Sequence, residues 1–507
     1  MTAVVRSTAS ENRQPENRQA VRRELGDPPI YFCGSRYASS IGELGIAARP
    51  RWEALAYFLT HEAAGAGPFE TFYENVQRVG ADETVDFSVE PARRTRAPVS
   101  VADDAWFGCG EQELVSALRT TIEDSVRRAV GDGRRIAVLT GGGLDSGALL
   151  GAVVAHARGA TKREATAIAL HFAGPGDDRP YLSALCKDLG VSPILVRPSE
   201  PATWLSRALV VDGIPTTYPT VAFELHALEL AHAHGFDVLL DGIFGDQIFD
   251  GNPVACARMA VSGNPWGGIS TALRLVHRHD LAPQQRLWRH LAYPLLRELV
   301  PSNMRRATRS HRAQKPWMSR RLREWTREFV RTDEIHSSIL TSTAPERYRD
   351  HIRSYRIDTA AEWRHASGRL FGVRRRDPYA DARVVQFVSS LPPEKLLSGG
   401  WIRGLFRRAV EGWIPGVLQW RRSKAWLEPA VNDLIGARSA MDQLRPFLTF
   451  EALADMGFVD PRKLRSAHEK DVQTDVVGWY TSWSALAAEA LVRTMNTNDD
   501  GAYRALD

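Results

Sequence analysis

The sequence predicts an α/β protein: a doubly wound, open parallel sheet followed by a large helical C-terminal part and preceded by a small α+β module. Three observations predict this. Between residues 110 and 252, short apolar runs alternate with amphipathic segments, as strands buried on both faces do when crossover helices join them. A glycine-rich turn stands where the first of these runs hands over to a helix. From about 253 to 507 the chain reads as mainly helical, rich in Arg and Trp.

In chain order, residues 1–27 are polar ("STASENRQPENRQAVRREL") and are expected to form a disordered or weakly helical tail. Residues 28–105 carry short apolar stretches, "PPIYFCGS", "WEALAYFLTHEA", "TFYENVQRV" and "TVDFSVEP", broken by turns, and read as the α+β module. "RRTRAPVSVADD" reads as a linker, and 110–507 as one larger unit, split into an α/β core at 110–252 and a mainly helical part at 253–507. In "EQELVSALRTTIEDSVRRAV", Leu114, Leu118, Ile122 and Val126 recur every four residues, one face of a helix. Then come a strand ("RIAVLT"), a helix ("SGALLGAVVAHA"), a strand ("ATAIALHF"), a helix ("YLSALCKDLG"), a strand ("SPILVRP"), a helix ("VAFELHALELAHAHG") and a strand ("FDVLLDG"). That order is the sequence pattern of a parallel sheet.

Composition narrows the classes of function. The net charge of +5 is small for this length and does not by itself call for nucleic acid. The four cysteines, Cys33, Cys109, Cys186 and Cys256, form no CxxC pair, which argues against a zinc site or a disulfide framework. No signal-peptide core and no run of ~20 apolar residues is present, so a cytoplasmic protein with no membrane partner is expected.

The glycine-rich turn, "AVLTGGGLDSGALL" (137–150), carries the chemistry. Consecutive glycines remove side chains and let backbone N–H groups point at an anion, and a following helix adds its own open N–H groups. No Gly-Lys-Ser/Thr follows, so the turn is not a Walker loop, and consecutive glycines do not fit the dinucleotide fingerprint. A capped strand-to-helix turn needs one small residue, not three glycines.

The segment resembles the pyrophosphate loop of the ATP-pyrophosphatase (PP-loop) ligases, Ser-Gly-Gly-x-Asp-Ser. Gly141 stands at the first Ser and Gly142, Gly143, Leu144, Asp145 and Ser146 follow. Three further stretches are similar to the asparagine-synthetase superfamily. "VLLDGIFGDQIFDG" (238–251) resembles Gly-Glu-Gly-x-Asp-Glu-Leu-Phe-Gly-Gly, with Gly242, Asp246, Phe249 and Gly251 on matching positions. "RDPYADARVVQFVSSLPPEKL" (376–396) resembles the Arg-x-Pro-Phe-x-Asp helix start, and "IPGVLQWRRSKAWLEP" (414–429) the Arg-x-Lys loop. The four stand in the family's order over roughly 110–495.

The resemblance implies a PP-loop fold, ATP and Mg²⁺ as cofactors, and activation of a carboxylate as an acyl-adenylate that an amine then attacks. Asp145 and Asp246 are the implied metal ligands, Lys424 the loop lysine, and Thr140, Leu170, Asp241 and Gly242 the adenine contacts. By the same resemblance, Asp145, Asp246 and Lys424 form the catalytic set. "DDRPY" (177–181) resembles the family's Asp-Glu-x-x-Tyr and is taken as structural.

Departures narrow the branch. Ile243 stands where asparagine synthetases carry Glu and β-lactam synthetases Tyr, and Gln247 replaces a Glu. The remaining subgroup is the macrolactam cyclases of lasso-peptide biosynthesis, whose partners would be a precursor peptide and a protease or leader-binding protein. Glutamine-hydrolysing members begin Met-Cys, whereas this chain begins Met1-Thr2, so 28–105 reads as a shortened, degenerate glutaminase-like module and the amine is expected on the substrate itself. Three alternatives stand beside this reading. One is a small-molecule amide or β-lactam synthetase. A second is an RNA-modifying PP-loop enzyme, supported by "MRRATRSHRAQKPWMSRRLREWTREFVR" (304–331) with ten Arg/Lys against two Glu. The third is a catalytically dead scaffold, given the departures at Gly141, Ile243 and Gln247.

Overall fold

The computed structural model describes residues 19–22, 26–46, 49–60, 66–80, 83–89, 91–96, 106, 108–159, 163–174, 177–250, 255–276, 281–301, 304, 314–332, 355–423, 427–474 and 476–496. Its centre is a parallel sheet of five strands: β1 (Arg135–Leu139), β2 (Glu164–Leu170), β3 (Ile194–Val196), β4 (Val238–Asp241) and β5 (Arg374–Arg376). Across the sheet the order is β5-β4-β1-β2-β3. The chain therefore winds outward from β1 through β2 and β3, crosses back, and continues through β4 to β5. The direction reverses between β1 and β4, whose last residues, Leu139 and Asp241, lie opposite one another. In open parallel sheets the crevice at such a reversal is where ligands bind.

The helices that position this crevice are α1 (Glu111–Val130), α2 (Leu144–Arg158), α3 (Arg179–Leu189), α4 (Val221–Ala233), α5 (Gly245–Phe249), α6 (Tyr355–Leu370), α7 (Ala382–Ser390) and α8 (Gly404–Ala409). Successive strand residues point to opposite faces, and the sequence supplies apolar residues for both. Ile136, Val138, Val238 and Leu240 pack with Leu118, Ile122, Leu149 and Val153 of α1 and α2. Ala137, Ile168 and Leu239 pack with Leu228 and Ala231 of α4 on the other face. The spacing read in α1 holds: Leu114, Leu118, Ile122 and Val126 are all buried. At its start, Glu113 accepts from the Gly110 amide at 2.8 Å.

Several expectations need correction. Arg93–Arg96, read as the start of a linker, is a strand paired antiparallel with Glu83–Asp86. Gln19–Arg22, placed in a disordered tail, is a strand paired antiparallel with Glu83–Asp86, and Arg22 is fully buried. Gln-Ala-Val-Arg is too short to show a period of its own; the pairing partner lies over sixty positions away. The region beyond 253, read as nearly all helix, also contributes β5, whose sequence is Arg-Arg-Arg. Parallel pairing with β4 and burial of Arg375 in ion pairs override a composition that no strand signal would select.

The N-terminal residues form two small antiparallel sheets and the helix Trp52–Thr60. That helix shares one apolar core with the C-terminal helix Val476–Asn496, through Tyr57, Phe58, Trp483 and Leu486 among others. Polar contacts also tie the N-terminal residues to the turn at 212–213: Ser40 to Asp212 at 2.6 Å and the Tyr73 hydroxyl to the Gly213 carbonyl at 3.0 Å.

Candidate active site

The glycine turn follows β1 directly. Thr140 still bonds to the neighbouring strand through its amide, at 3.0 Å from the Ile168 carbonyl, and the glycines then leave the sheet. Gly142 has φ +93°, and a Cβ there would lie 2.8 Å from the Asp178 carbonyl oxygen and 2.9 Å from the Leu182 amide nitrogen. Both the conformation and the space admit only glycine. Gly143 is the N-cap of α2 and brings no side-chain acceptor, so the cap leaves the first-turn amides facing the crevice. The helix begins at Leu144, two residues before the expected start at Ser146. Thr140 Oγ1 accepts from the Gly142 amide at 3.3 Å and lies 3.0 Å from Ser146 Oγ, closing the turn on itself.

Arg421 braces this loop from behind. Its Nη1 donates to the Gly142 carbonyl at 3.1 Å and pairs with Asp178 at 2.5 Å, and its guanidinium lies 3.9 Å from the Tyr181 ring centre. This contact fixes the orientation of the Gly142 carbonyl. Asp178 and Tyr181 belong to the "DDRPY" stretch, whose structural role is thus specific: it holds the arginine that holds the loop.

The second motif lies against the first turn of α2 because two glycines allow it. A Cβ on Gly242 would fall 2.7 Å from both N and Cα of Ser146, and one on Gly245 2.6 Å from Asp145 Cγ. Phe244 adopts φ +69°, a left-handed turn that aims α5 back across the loop. Phe249 then stacks on Phe406 at 4.2 Å between ring centres and meets Tyr379 edge-on at 5.0 Å. Tyr379 in turn donates its hydroxyl to the Asp145 carbonyl at 2.8 Å.

This packing brings Asp145 and Asp246 to one point, and Arg403 occupies it. Its Nη1 lies 2.8 and 2.7 Å from the two oxygens of Asp145, its Nη2 contacts Asp246, and its Nε contacts Asp250. Neither aspartate is a helix cap: the N-caps of α2 and α5, Gly143 and Phe244, make no side-chain cap bond. Burial pushes the Asp145 carboxyl up to about 6, opposed by Arg403 and reinforced by Asp246 and Asp250. Neither Arg403 nor Asp250 was read as a site residue from the sequence. Arg403 lies in the arginine-rich "WIRGLFRR", whereas Asp250 carried a signal, since it stands at a glycine of the matching pattern.

Asp241, at the end of β4, uses its side chain differently. Arg364 and Arg375 donate to one carboxylate oxygen at 2.9 and 3.0 Å, and both also pair with Glu224 of α4. Burial pushes the Asp241 carboxyl up, but the two arginines outweigh it and hold it below the usual range. Asp377, next to this cluster and 4.0 Å from Arg364, is driven up to about 6 by burial. This buried network fixes the end of β4 relative to β5 and α6, and its Glu224, Arg364 and Arg375 lie outside every motif read from the sequence. The backbone of Asp241 and Gly242 faces Leu139 and the loop, where the sequence placed a nucleotide contact.

Leu170 ends β2, and beyond it a cleft of about 600 Å³ opens between His171, Arg179 and Arg197 on the sheet side and Asn432 and Asp433 opposite. Lys424 lies outside the described residues. The structure thus brings together Thr140, Gly141, Gly142, Gly143, Leu144, Asp145, Ser146, Asp241, Gly242 and Asp246 at the reversal between β1 and β4.

Residues 117–493 match the family model described as asparagine synthase. The chain belongs to the asparagine synthase family. The match spans the loop, the second motif and the helical part, so asparagine synthase family membership covers the sheet and the helices packed on it alike. The family is one of ATP-using carbon–nitrogen ligases. No curated protein matches the chain. Among solved structures, the U34-tRNA thiolase NcsA from Methanococcus maripaludis with its 4Fe-4S cluster is 14% identical, with a TM-score of 0.23, over 47% of this chain and 78% of that one. Among the described residues no helix is long and apolar enough to cross a membrane.

Proposed function

We propose that this asparagine synthase family member is an AMP-forming amide ligase that activates a substrate carboxylate as an acyl-adenylate and joins it to an amine of the same substrate. The product on this reading is a peptide macrolactam of the lasso type. The observation that carries the reading is the convergence of Asp145 and Asp246 at the mouth of a glycine nest that has no Walker lysine. Ile243, which can neither accept nor donate a proton, supports a branch other than asparagine or β-lactam synthesis.

The residues divide the work as follows. The Gly141–Gly143 amides and the start of α2 would bind the β,γ-phosphates as a unit that leaves intact as pyrophosphate. Asp145 and Asp246 would hold magnesium; their oxygens already converge on one cation, and hard carboxylate donors suit that ion. A bound magnesium ion supplies charge compensation for the leaving pyrophosphate. The backbone at Thr140, Leu170, Asp241 and Gly242 would seat adenine, and Lys424 would close over the reacting acyl group. A precursor peptide, with a protease or leader-binding protein, is the partner set that goes with this reading.

The test is turnover of ATP with a linear precursor peptide, following nucleotides by chromatography and loss of one water from the peptide by mass spectrometry. AMP and pyrophosphate are expected, with Asp145→Asn and Asp246→Asn each slower by ~10²–10³-fold, as for loss of a metal clamp. Stoichiometric ADP would overturn the assignment.

A further inference from the structure

Arg403 is placed in a way that the ligase reading does not use. Three carboxylates, Asp145, Asp246 and Asp250, share one guanidinium, each through a different nitrogen. A divalent cation bound by Asp145 and Asp246 would compete with the guanidinium for the same carboxylate oxygens. Arg403 itself has φ +59° and ψ +30° at the N-cap of α8, a left-handed conformation unusual for an arginine. Backbone strain of this kind persists where the surroundings over-determine it. Here the carboxylates in front and the buried Leu405 and Phe406 behind fix the turn.

The three partners are not equivalent. The Asp145 side chain is 17% exposed, whereas Asp246 and Asp250 are 34% and 39% exposed. Asp250 stands where the family pattern has glycine, and it engages Nε, the nitrogen nearest the stem. A guanidinium that lets go of Asp145 and Asp246 therefore keeps a partner within reach.

We infer that Arg403 is a resident counter-ion for the Asp145–Asp246 pair, displaced toward Asp250 when a divalent cation binds. The inference deepens the ligase reading and rests on Asp145 and Asp246 being its metal pair. Without a cation at that point, two carboxylates beneath the loop would repel one another and spread the loop and α5 apart. Arg403 prevents this and keeps the oxygens converged. The cost is competition: a metal ion must displace a bidentate contact before it binds. Divalent cations alone are therefore held weakly, and the site fills when the metal arrives together with nucleotide phosphates that supply the remaining ligands.

The experiment measures Mn²⁺ binding to nucleotide-free protein, by electron paramagnetic resonance of free Mn²⁺ and by the Mn²⁺-induced shift in unfolding temperature. Arg403→Met is expected to bind Mn²⁺ ~tenfold more tightly than the parent, because the competing charge is gone while all three carboxylates remain. Asp250→Asn is expected to move the other way, with Mn²⁺ affinity reduced several-fold, because the guanidinium loses its alternative partner and settles on Asp145 and Asp246. General damage to the site would weaken binding in both variants, so the opposite signs are diagnostic. If folded Arg403→Met binds Mn²⁺ no better than the parent, the inference fails. If Arg403→Met does not fold, the Asp250→Asn result decides: unchanged or tighter binding overturns the inference. Asp246→Asn separates the two levels. If it leaves Mn²⁺ binding in the presence of ATP intact, the metal reading itself is wrong. If it abolishes that binding while Arg403→Met gains nothing, only the counter-ion role is lost.

Discussion

Arg421→Met tests whether the glycine loop is held from behind. The side chain is 3% exposed and its partner Asp178 7%, so removing the cation leaves a carboxylate buried without its counter-charge. Breaking such a pair from one side costs ~3–5 kcal/mol. Burial already pushes the Asp178 carboxyl up against the pull of Arg421, and losing the arginine pushes it further the same way, which relieves part of that penalty. Loss of the contact with the Tyr181 ring adds about 1 kcal/mol. The expected net loss is ~3 kcal/mol in urea unfolding near neutral pH. Arg421→Met/Asp178→Asn removes the stranded charge and is expected to recover ~1–2 kcal/mol relative to the single variant. ATP affinity, measured by calorimetry, is expected to stay reduced in both variants, because both lack the donor to the Gly142 carbonyl. A single variant that loses less than ~1 kcal/mol, or a double variant no more stable than the single, would refute the stranded-charge argument. Normal ATP affinity in both would refute the brace.

Gly242→Ala places a Cβ 2.7 Å from the backbone of Ser146, which must push β4 and α2 apart. Overpacking of this kind costs ~1–3 kcal/mol, and a shift of the two aspartates by a fraction of an ångström is expected to reduce Mg-ATP binding about tenfold or more; unchanged calorimetric affinity would show that the close approach is incidental. A second expectation concerns pH. Burial pushes His365 down to about 3, with Arg376 and Arg22 adding to it, so the folded protein keeps it neutral while the unfolded chain protonates below about 6.5. Stability from this group therefore falls as pH drops from 6.5, by ~2 kcal/mol at pH 5. Asp145 and Asp377, raised to about 6, act in the opposite direction over the same range. The measurement is accordingly the difference in urea midpoints between parent and His365→Gln at pH 7, 6 and 5. That difference should shrink as pH falls; a constant difference would show that His365 carries no such shift.

Some of this protein was fixed by local pattern and could be read from the amino acids alone. The four-residue spacing in 111–130, the apolar runs of β1, β2 and β4, and the glycines between β1 and α2 each depend on neighbours within a few residues. The loop's Gly142 needs its left-handed turn whatever surrounds it, and so it announces itself. Motif order then placed Asp145 and Asp246 in the same site. The tertiary structure decided the rest, because the forces involved act between residues far apart in the chain. Gln19–Arg22 becomes a strand only when Glu83–Asp86 supplies its hydrogen bonds. Arg-Arg-Arg becomes β5 only because β4 pairs with it and Glu224 and Asp241 neutralise Arg375. Arg403 reaches the aspartates across more than 150 residues, and Arg421 reaches the loop carbonyl across nearly 280. A charged side chain carries no period and no propensity that names its partner. Which arginine neutralises which buried carboxylate is settled by where the packed elements place them, since an unpaired charge in that interior costs more than any local preference returns.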